Sequence, residues 1–283
     1  MGTISLEVNE DTLAKMHKFY HDNLITSSNQ YVLFSAKTLN CTITAYKSKK
    51  VLFQGKAADT ETQIWKTNEL DDAFYLESIG SDEVGTGDYF GPVVVCSVYL
   101  SKEKVSIIKN YQVNDSKQLT DTYIRQLAPL LYKQLPYSLL VVTNEKYNDM
   151  MNNKNMNLNK MKALLHKQAI SNLTNKYQNK QVIIDQFCSI ANFNKYTNDN
   201  TFSKKVTFST KAEAKYASVA LASIMARYKF LLEMDKLSKI YHLNLLKGAS
   251  NKVDLQAKEL VKRYGKEVLA KIAKLHFKNT SRI

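Results

Sequence analysis

Leu13, Met16 and Tyr20 recur at helical spacing along residues 10–22, so an amphipathic helix is the first element the pattern predicts. Three short runs of alternating apolar and polar residues follow, at 31–37, 41–47 and 50–54, separated by polar turns and closed by Gly55. A period of two assigns their side chains to two faces. Val32, Phe34, Cys41, Ile43, Ala45, Val51 and Phe53 share the face that packs on the helices. Ser35, Lys37, Thr42, Thr44, Tyr46 and Gln54 share the other, which is polar, mildly basic and carries one aromatic ring. Such a face serves equally as a solvated surface or as a docking surface for nucleic acid. A helix containing Trp65 leads into Asn68-Glu69-Leu70-Asp71-Asp72, whose acidity suggests a linker. Residues 1–70 therefore form a small α+β domain, with a linker to about residue 73.

From residue 74 the pattern changes to long apolar strands alternating with helices. Strands are expected at 74–81, 92–100, 137–143, 181–186 and near 204–209, and helices at 121–133, 157–177, 214–236 and 255–274. Thr120 is placed to cap the first of these helices. The Asn-, Lys- and Met-rich stretch 144–162 reads as a loop or a frayed helix start. Alternating strands and helices specify a layered α/β domain over residues 74–283.

Charge adds a partner to this picture. The 283 residues carry 40 Lys and Arg against 26 Asp and Glu, a formal net charge of +14. That excess favours a polyanion, since each neutralised phosphate releases condensed counterions. No run approaches the roughly 18 apolar residues that a membrane-spanning helix needs, and the first residues lack the basic-then-apolar pattern of a signal peptide. Cys41, Cys96 and Cys188 are odd in number and lie in apolar runs, as reduced core residues of a cytoplasmic protein do.

The segment Ser78-Ile79-Gly80-Ser81-Asp82-Glu83-Val84-Gly85-Thr86-Gly87 carries the candidate chemistry. An apolar strand runs into two adjacent carboxylates, and burying ionised carboxylates is costly unless a cation is present. A second apolar strand, Val182-Ile183-Ile184, also ends in a carboxylate, Asp185. If the two strands are neighbours, Asp82 and Asp185 meet at one sheet edge. Oxygen-only ligands suit Mg²⁺ or Mn²⁺ better than Zn²⁺. None of the five histidines falls in these segments, and no Ser–His or Cys–His pair offers a nucleophile, so metal activation of water is the simplest route. Glu213 lies in Lys211-Ala212-Glu213-Ala214-Lys215-Tyr216, at the mouth of a helix whose dipole a glutamate there would complement.

Four motifs in this order resemble the type 2 ribonuclease H family: Asp82-Glu83-Val84-Gly85-Thr86-Gly87, Asp115-Ser116-Lys117-Gln118-Leu119, Ile184-Asp185, and Lys211-Ala212-Glu213-Ala214 followed by Ala222-Ser223-Ile224-Met225-Ala226-Arg227. The resemblance spans essentially the whole chain. Its bacterial ribonuclease HIII branch is favoured by the Gly-Thr-Gly turn in place of Gly-Arg-Gly, by Glu at 213 and by the additional N-terminal domain. The resemblance implies an RNase H-like domain with a mixed central sheet flanked by helices, preceded by a TATA-binding-protein-like domain that helps hold the substrate. It implies a metal-dependent endoribonuclease that cuts the RNA strand of RNA–DNA hybrids, leaving 5′-phosphate and 3′-hydroxyl ends and using Mg²⁺ or Mn²⁺, two ions per site. Asp82, Glu83, Asp185 and Glu213 match the metal-binding acids, with Asp82 the candidate to bridge two ions. Gly85, Thr86 and Gly87 match the turn that reads the ribose, and Ser116 and Lys117 match a second contact segment. On the N-terminal domain, Ser35, Lys37, Thr42, Thr44 and Tyr46 are the candidate substrate contacts.

No obligatory protein partner is evident, and a monomer is expected. Two other readings remain open at this stage: a hybrid-binding protein without catalysis, and an enzyme directed at single ribonucleotides in duplex DNA.

Overall fold

The computed structural model describes residues 2–111, 113 and 119–283, apart from the side chains at 63 and 66–72. The chain divides into two compact units, Met1–Phe74 and Tyr75–Ile283.

The first unit holds β1 (Gly2–Glu7), α1 (Glu10–Phe19), β2 (Leu24–Ile25), β3 (Val32–Lys37), β4 (Cys41–Tyr46), β5 (Lys50–Gly55) and α2 (Ala58–Phe74). Among the described residues the strands form one sheet in the order β1-β5-β4-β3-β2, and every neighbouring pair is antiparallel. Phe34, Ile43, Val51 and Phe53 face Leu13 and Met16 of α1 and Trp65 of α2 in a shared core. Burial of each Phe contributes about 1.5–3 kcal/mol. Tyr20 donates to Glu61 Oε2 at 2.6 Å and accepts from Trp65 Nε1 at 2.9 Å, which satisfies the polar atoms trapped beneath the sheet.

Three expectations change here. Residues 68–72 continue α2 instead of forming a linker, since they contain no Pro or Gly to stop a helix. A register shift between Val32 and Phe34 sets Val32 opposite Tyr46 and takes it out of the series that Phe34 belongs to. β1 was not visible in the alternation of Gly2–Glu7, yet it pairs along β5 and brings Thr3 beside Gln54 and Ser5 beside Leu52.

The second unit has the mixed α/β architecture expected of it. Its strands are β6 (Ser78–Val84), β7 (Val93–Leu100), β8 (Tyr137–Val142), β9 (Gln181–Asp185) and β10 (Val206–Ser209). Among the described residues they form a sheet in the order β10-β9-β6-β7-β8. The pairs β10–β9 and β9–β6 are parallel, while β6–β7 and β7–β8 are antiparallel. The helices are α3 (Lys102–Ile108), α4 (Asp121–Gln134), α5 (Asn144–Met151), α6 (Leu158–Thr174), α7 (Ile190–Thr197), α8 (Ala217–Ile240), α9 (Asn251–Tyr264) and α10 (Val268–Ile272). Thr120 caps α4 through its hydroxyl, as expected. No helix among the described residues is long and apolar enough to cross a membrane.

The stretch 144–162, expected as a loop or a frayed helix start, begins with α5, which Thr143 caps by accepting from Lys146 N. The single helix expected at 255–274 is two, broken where Gly265 adopts φ 80°. α3 and α7 fall in stretches that the apolar periodicity left unassigned.

One close approach positions the site. A Cβ on Gly80 would lie 2.3 Å from the backbone of Ser218 and Val219, so glycine lets the start of α8 rest directly on β6. Ser78 and Ser218 hydroxyls meet at 2.8 Å in the same contact. Five residues further along α8 is a rise of about 7.5 Å, and two residues further along β6 about 6.6 Å. The two steps bring Ser223 over Asp82.

Candidate active site

β6 and β9 run parallel with Gly80 beside Ile183 and Ser81 beside Ile184. One step on, Asp82 and Asp185 stand beside each other at the carboxyl ends of adjacent strands, about 4.8 Å apart along the backbone. Ile183 packs with Ala212 and Val219, which places Ile183, Asp185, Gly80 and Asp82 on the face that α8 covers. Asp82 is buried and its carboxylate accepts from Glu83 N at 2.8 Å and from the Ser223 hydroxyl. Asp185 accepts from Ala212 N at 2.9 Å. Glu213 is the next residue, buried in a 3₁₀ turn, Ala212–Ala214, that precedes α8 and follows Lys211 in the left-handed region. It lies in this turn ahead of α8, which begins at Ala217, three residues later than the expected start at 214.

Glu83 is one residue from Asp82 and so points to the opposite face, toward α6. There Lys162 makes an ion pair with it, and His166 Nε2 lies 2.9 Å from its second oxygen. The other ring nitrogen of His166 lies 2.7 Å from the Ser81 hydroxyl, which accepts from Ser97 at 2.8 Å. Phe187 stacks on the His166 ring and lies beneath the Lys162 ammonium. The structure thus gathers Asp82, Asp185 and the Glu213 turn on one face and holds Glu83 on the other. Among the described residues, no three His, Cys, Asp or Glu side chains already stand at metal-binding distance from one another.

The electrostatics follow from this division. Burial first, then the charges of Glu83 and Asp185, push the Asp82 carboxyl up to about 8, against the Ser223 and Glu83 amide hydrogen bonds that pull it down. Burial works to raise Glu83 as well, but the His166 hydrogen bond and the charges of His166 and Lys162 outweigh it and hold that carboxyl well below its usual range. A carboxylate that resists ionisation beside two others is suited to a cation. Oxygen donors alone fit a hard divalent ion. The residues present therefore fit Mg²⁺ or Mn²⁺ on the Asp82 face.

The two glycines of the following turn differ. Gly85 has φ 95°, and a Cβ there would lie 2.2 Å from Pro92 O and 3.2 Å from the Phe230 ring. The fold itself demands glycine at this position. Gly87 is exposed, and a Cβ there would meet nothing within 4 Å. Thr86 between them is half-buried. Ser116 and Lys117 lie outside the described residues. On the sheet of the first unit, Lys37 is exposed and Thr42, Thr44 and Tyr46 are half-buried, whereas Ser35 is only 5% exposed.

Lys162, His166 and Ser223 were not assigned chemistry from the sequence. The first two did leave a signal: a cation and an imidazole four residues apart on one stripe of α6, amid the buried Met161, Ala163, Ala169 and Ile170.

Comparison with known proteins supplies the remaining evidence. Residues 79–280 match the family model of ribonuclease HII, and residues 3–74 match that of a domain of unknown function, DUF3378. Ribonuclease HIII of Bacillus licheniformis is 45% identical, covering 98% of this chain and 96% of that protein. Ribonuclease HIII of Bacillus subtilis is 42% identical, covering 98% and 95%. The crystal structure of Bst-RNase HIII in complex with Mn²⁺ superposes with a TM-score of 0.72 at 36% identity, covering 99% of this chain and 97% of that one.

The Asp82 environment has a consequence for stability. A carboxyl whose folded pKa lies above its unfolded value contributes stability that is complete below the unfolded pKa of about 3.9 and is lost as the pH climbs toward the folded one. In EDTA, Asp82→Asn removes that loss. Its melting temperature should exceed the wild type's by roughly 5 °C near pH 8 and match it near pH 4. Thermal denaturation across this range checks the sign; a variant no more stable at the upper end would place the Asp82 carboxylate in water.

Proposed function

The chain belongs to the ribonuclease HIII branch of the ribonuclease H family, and from that membership and the site geometry we propose that it is an endoribonuclease that hydrolyses the RNA strand of RNA–DNA hybrids at the Asp82–Asp185 edge. The observation that carries the assignment to this edge is the parallel pairing of β6 with β9 up to Ser81 and Ile184, which brings the next residues, Asp82 and Asp185, close enough to interact beside the Glu213 turn.

A divalent cation is the cofactor, and we assign it to Asp82, Asp185 and Glu213, with Glu83 as a fourth acid and with two Mg²⁺ or Mn²⁺ ions per site. Bound there, the ions lower the pKa of an attacking water and offset the charge on the leaving oxygen. Asp82, buried and close enough to Asp185 to feel its charge, would be the residue to serve both ions. Ser223 and the Glu83 amide orient its carboxylate, and Ala212 N orients that of Asp185. Glu83 joins the cluster only by giving up contacts to Lys162 and His166 on the opposite face. Hydrolysis leaves 5′-phosphate and 3′-hydroxyl ends.

Selecting RNA over DNA requires contact with a 2′-hydroxyl in the shallow minor groove of the hybrid. Gly85, Thr86 and Gly87 follow the acids directly, and the open space around Gly87 lets a ribose approach its backbone. Ser116 and Lys117 form a second contact segment in this reading. On the first unit, Lys37, Thr42, Thr44 and Tyr46 form a docking face, from which burial removes Ser35, and the net charge of +14 draws the polyanion to the protein. Three free cysteines, two of them buried, support a cytoplasmic location.

Two measurements test this reading. Asp185→Asn should lower cleavage of a labelled hybrid by about three orders of magnitude, the scale of losing a metal contact worth several kcal/mol, while hybrid binding without metal is retained. Full activity would remove Asp185 from the site. Gly87→Ala should leave the melting temperature unchanged and raise KM for the hybrid by about tenfold, the cost of one lost contact; an unchanged KM would show that no ribose packs there.

A further inference from the structure

Outside the carboxylate edge, the second unit buries one lysine completely among the described residues. Lys274 is 0% exposed. Its ammonium donates to Asp88 O at 2.8 Å and to Gly91 O, two carbonyls three residues apart in the loop that leaves the Gly-Thr-Gly turn. Burying an ammonium costs several kcal/mol unless its donors are satisfied, and here backbone carbonyls satisfy them.

The surrounding contacts all bear on the same loop. Lys274 N donates to Tyr89 O and Gly91 N donates to Ile272 O, each at 2.9 Å, and Phe90 bridges Ala273. Asn144 of α5 donates to Gly91 O at 2.8 Å, and Gly248 N donates to Asp88 Oδ1 at 2.6 Å. The chain thus spends a buried charge on a loop that begins three residues after Asp82 and whose Gly85 already sits in the left-handed region.

We propose that Lys274 is a positioning residue for substrate binding: its ammonium gathers the Asp88 and Gly91 carbonyls and thereby fixes residues 85–91 in the shape that meets the RNA strand. The proposal rests on the assignment of Gly85–Gly87 as the ribose-reading turn. Lys274 touches neither the carboxylates nor the reacting phosphate, so it acts on affinity and not on the chemical step.

Charge on Lys274 is itself adjustable. Burial draws its ammonium down to about 7, opposed by the charge of Asp88. Three groups face it: Asp88 on the loop, the Tyr147 ring of α5 with its centroid 5.8 Å away, and His276 on its own segment. Burial raises the Tyr147 phenol, and His276 is lowered by burial and then by Lys274. A neutral amine binds carbonyls less strongly than an ammonium. The loop should loosen as pH rises through neutrality.

Steady-state cleavage of a labelled hybrid by wild type and Lys274→Met tests this. The variant should show KM raised about tenfold at about pH 6.5, the worth of a charge-assisted hydrogen bond. Its kcat should stay within about twofold, and Mn²⁺ affinity by calorimetry should be unchanged. KM of the wild type should rise several-fold between about pH 6 and 8.5, and that of the variant should not. An unchanged KM in the variant, or a loss of kcat at constant KM, would overturn the proposal. If Lys274→Met does not fold, the wild-type profile decides: a rising KM supports the role and a flat one overturns it. A wild-type protein that cuts no hybrid would overturn the functional reading instead, and this proposal with it.

Discussion

Repulsion between carboxylates that the fold will not let separate is the interaction on which the rest of this structure depends. Asp82 is buried at the end of a central strand, Asp185 ends the parallel strand beside it, and Glu213 occupies the turn that donates a backbone N–H to Asp185. In water such charges would cost little, but at the lower dielectric of a covered sheet edge they oppose one another strongly. The protein relieves part of that cost itself. Asp82 is pushed toward its neutral form, while Glu83 is turned to the opposite face, where Lys162 and His166 neutralise it. In the proposed reading, a divalent cation bound at this edge would offset the remainder.

Backbone geometry maintains this arrangement. Gly80 brings α8 against β6 closely enough for Ser223 to reach Asp82. Gly85 turns the chain sharply after Val84, and the loop beyond it is tied to the C-terminal segment by the Lys274 ammonium and two backbone hydrogen bonds. Asp82, Glu83 and the turn of Gly85, Thr86 and Gly87 thus share one end of β6.

Most of this fold was legible because its strands are long and apolar. β7, β8 and β9 fall where apolar runs placed them, whereas β6, expected at 74–81, is displaced to Ser78–Val84 and so contains Asp82 and Glu83; the family resemblance, the α/β architecture and the metal-dependent ribonuclease activity it implied are borne out by the comparisons. What escaped the pattern had weak periodicity. β1 is a mixed Thr, Ser and Leu segment whose identity comes from pairing with β5, and α5 begins in a stretch whose Asn and Met content concealed the Thr143 cap. At the site, the adjacency of Asp82 and Glu83 suggested two ligands side by side, whereas alternation along a strand sends them to opposite faces. That consequence could have been drawn from the sequence. The partners waiting on α6 could not, because nothing local shows that Lys162 and His166 lie across the sheet from Glu83. The contrast between Gly85 and Gly87 is also invisible in sequence, since two identical residues differ only in what surrounds them.

Anomalous diffraction from crystals soaked in Mn²⁺ tests the central claim most directly. The account predicts manganese density among Asp82, Asp185 and Glu213, with Glu83 released from Lys162 to reach it. Density elsewhere, or a soaked crystal in which these carboxylates bind no manganese, would contradict it.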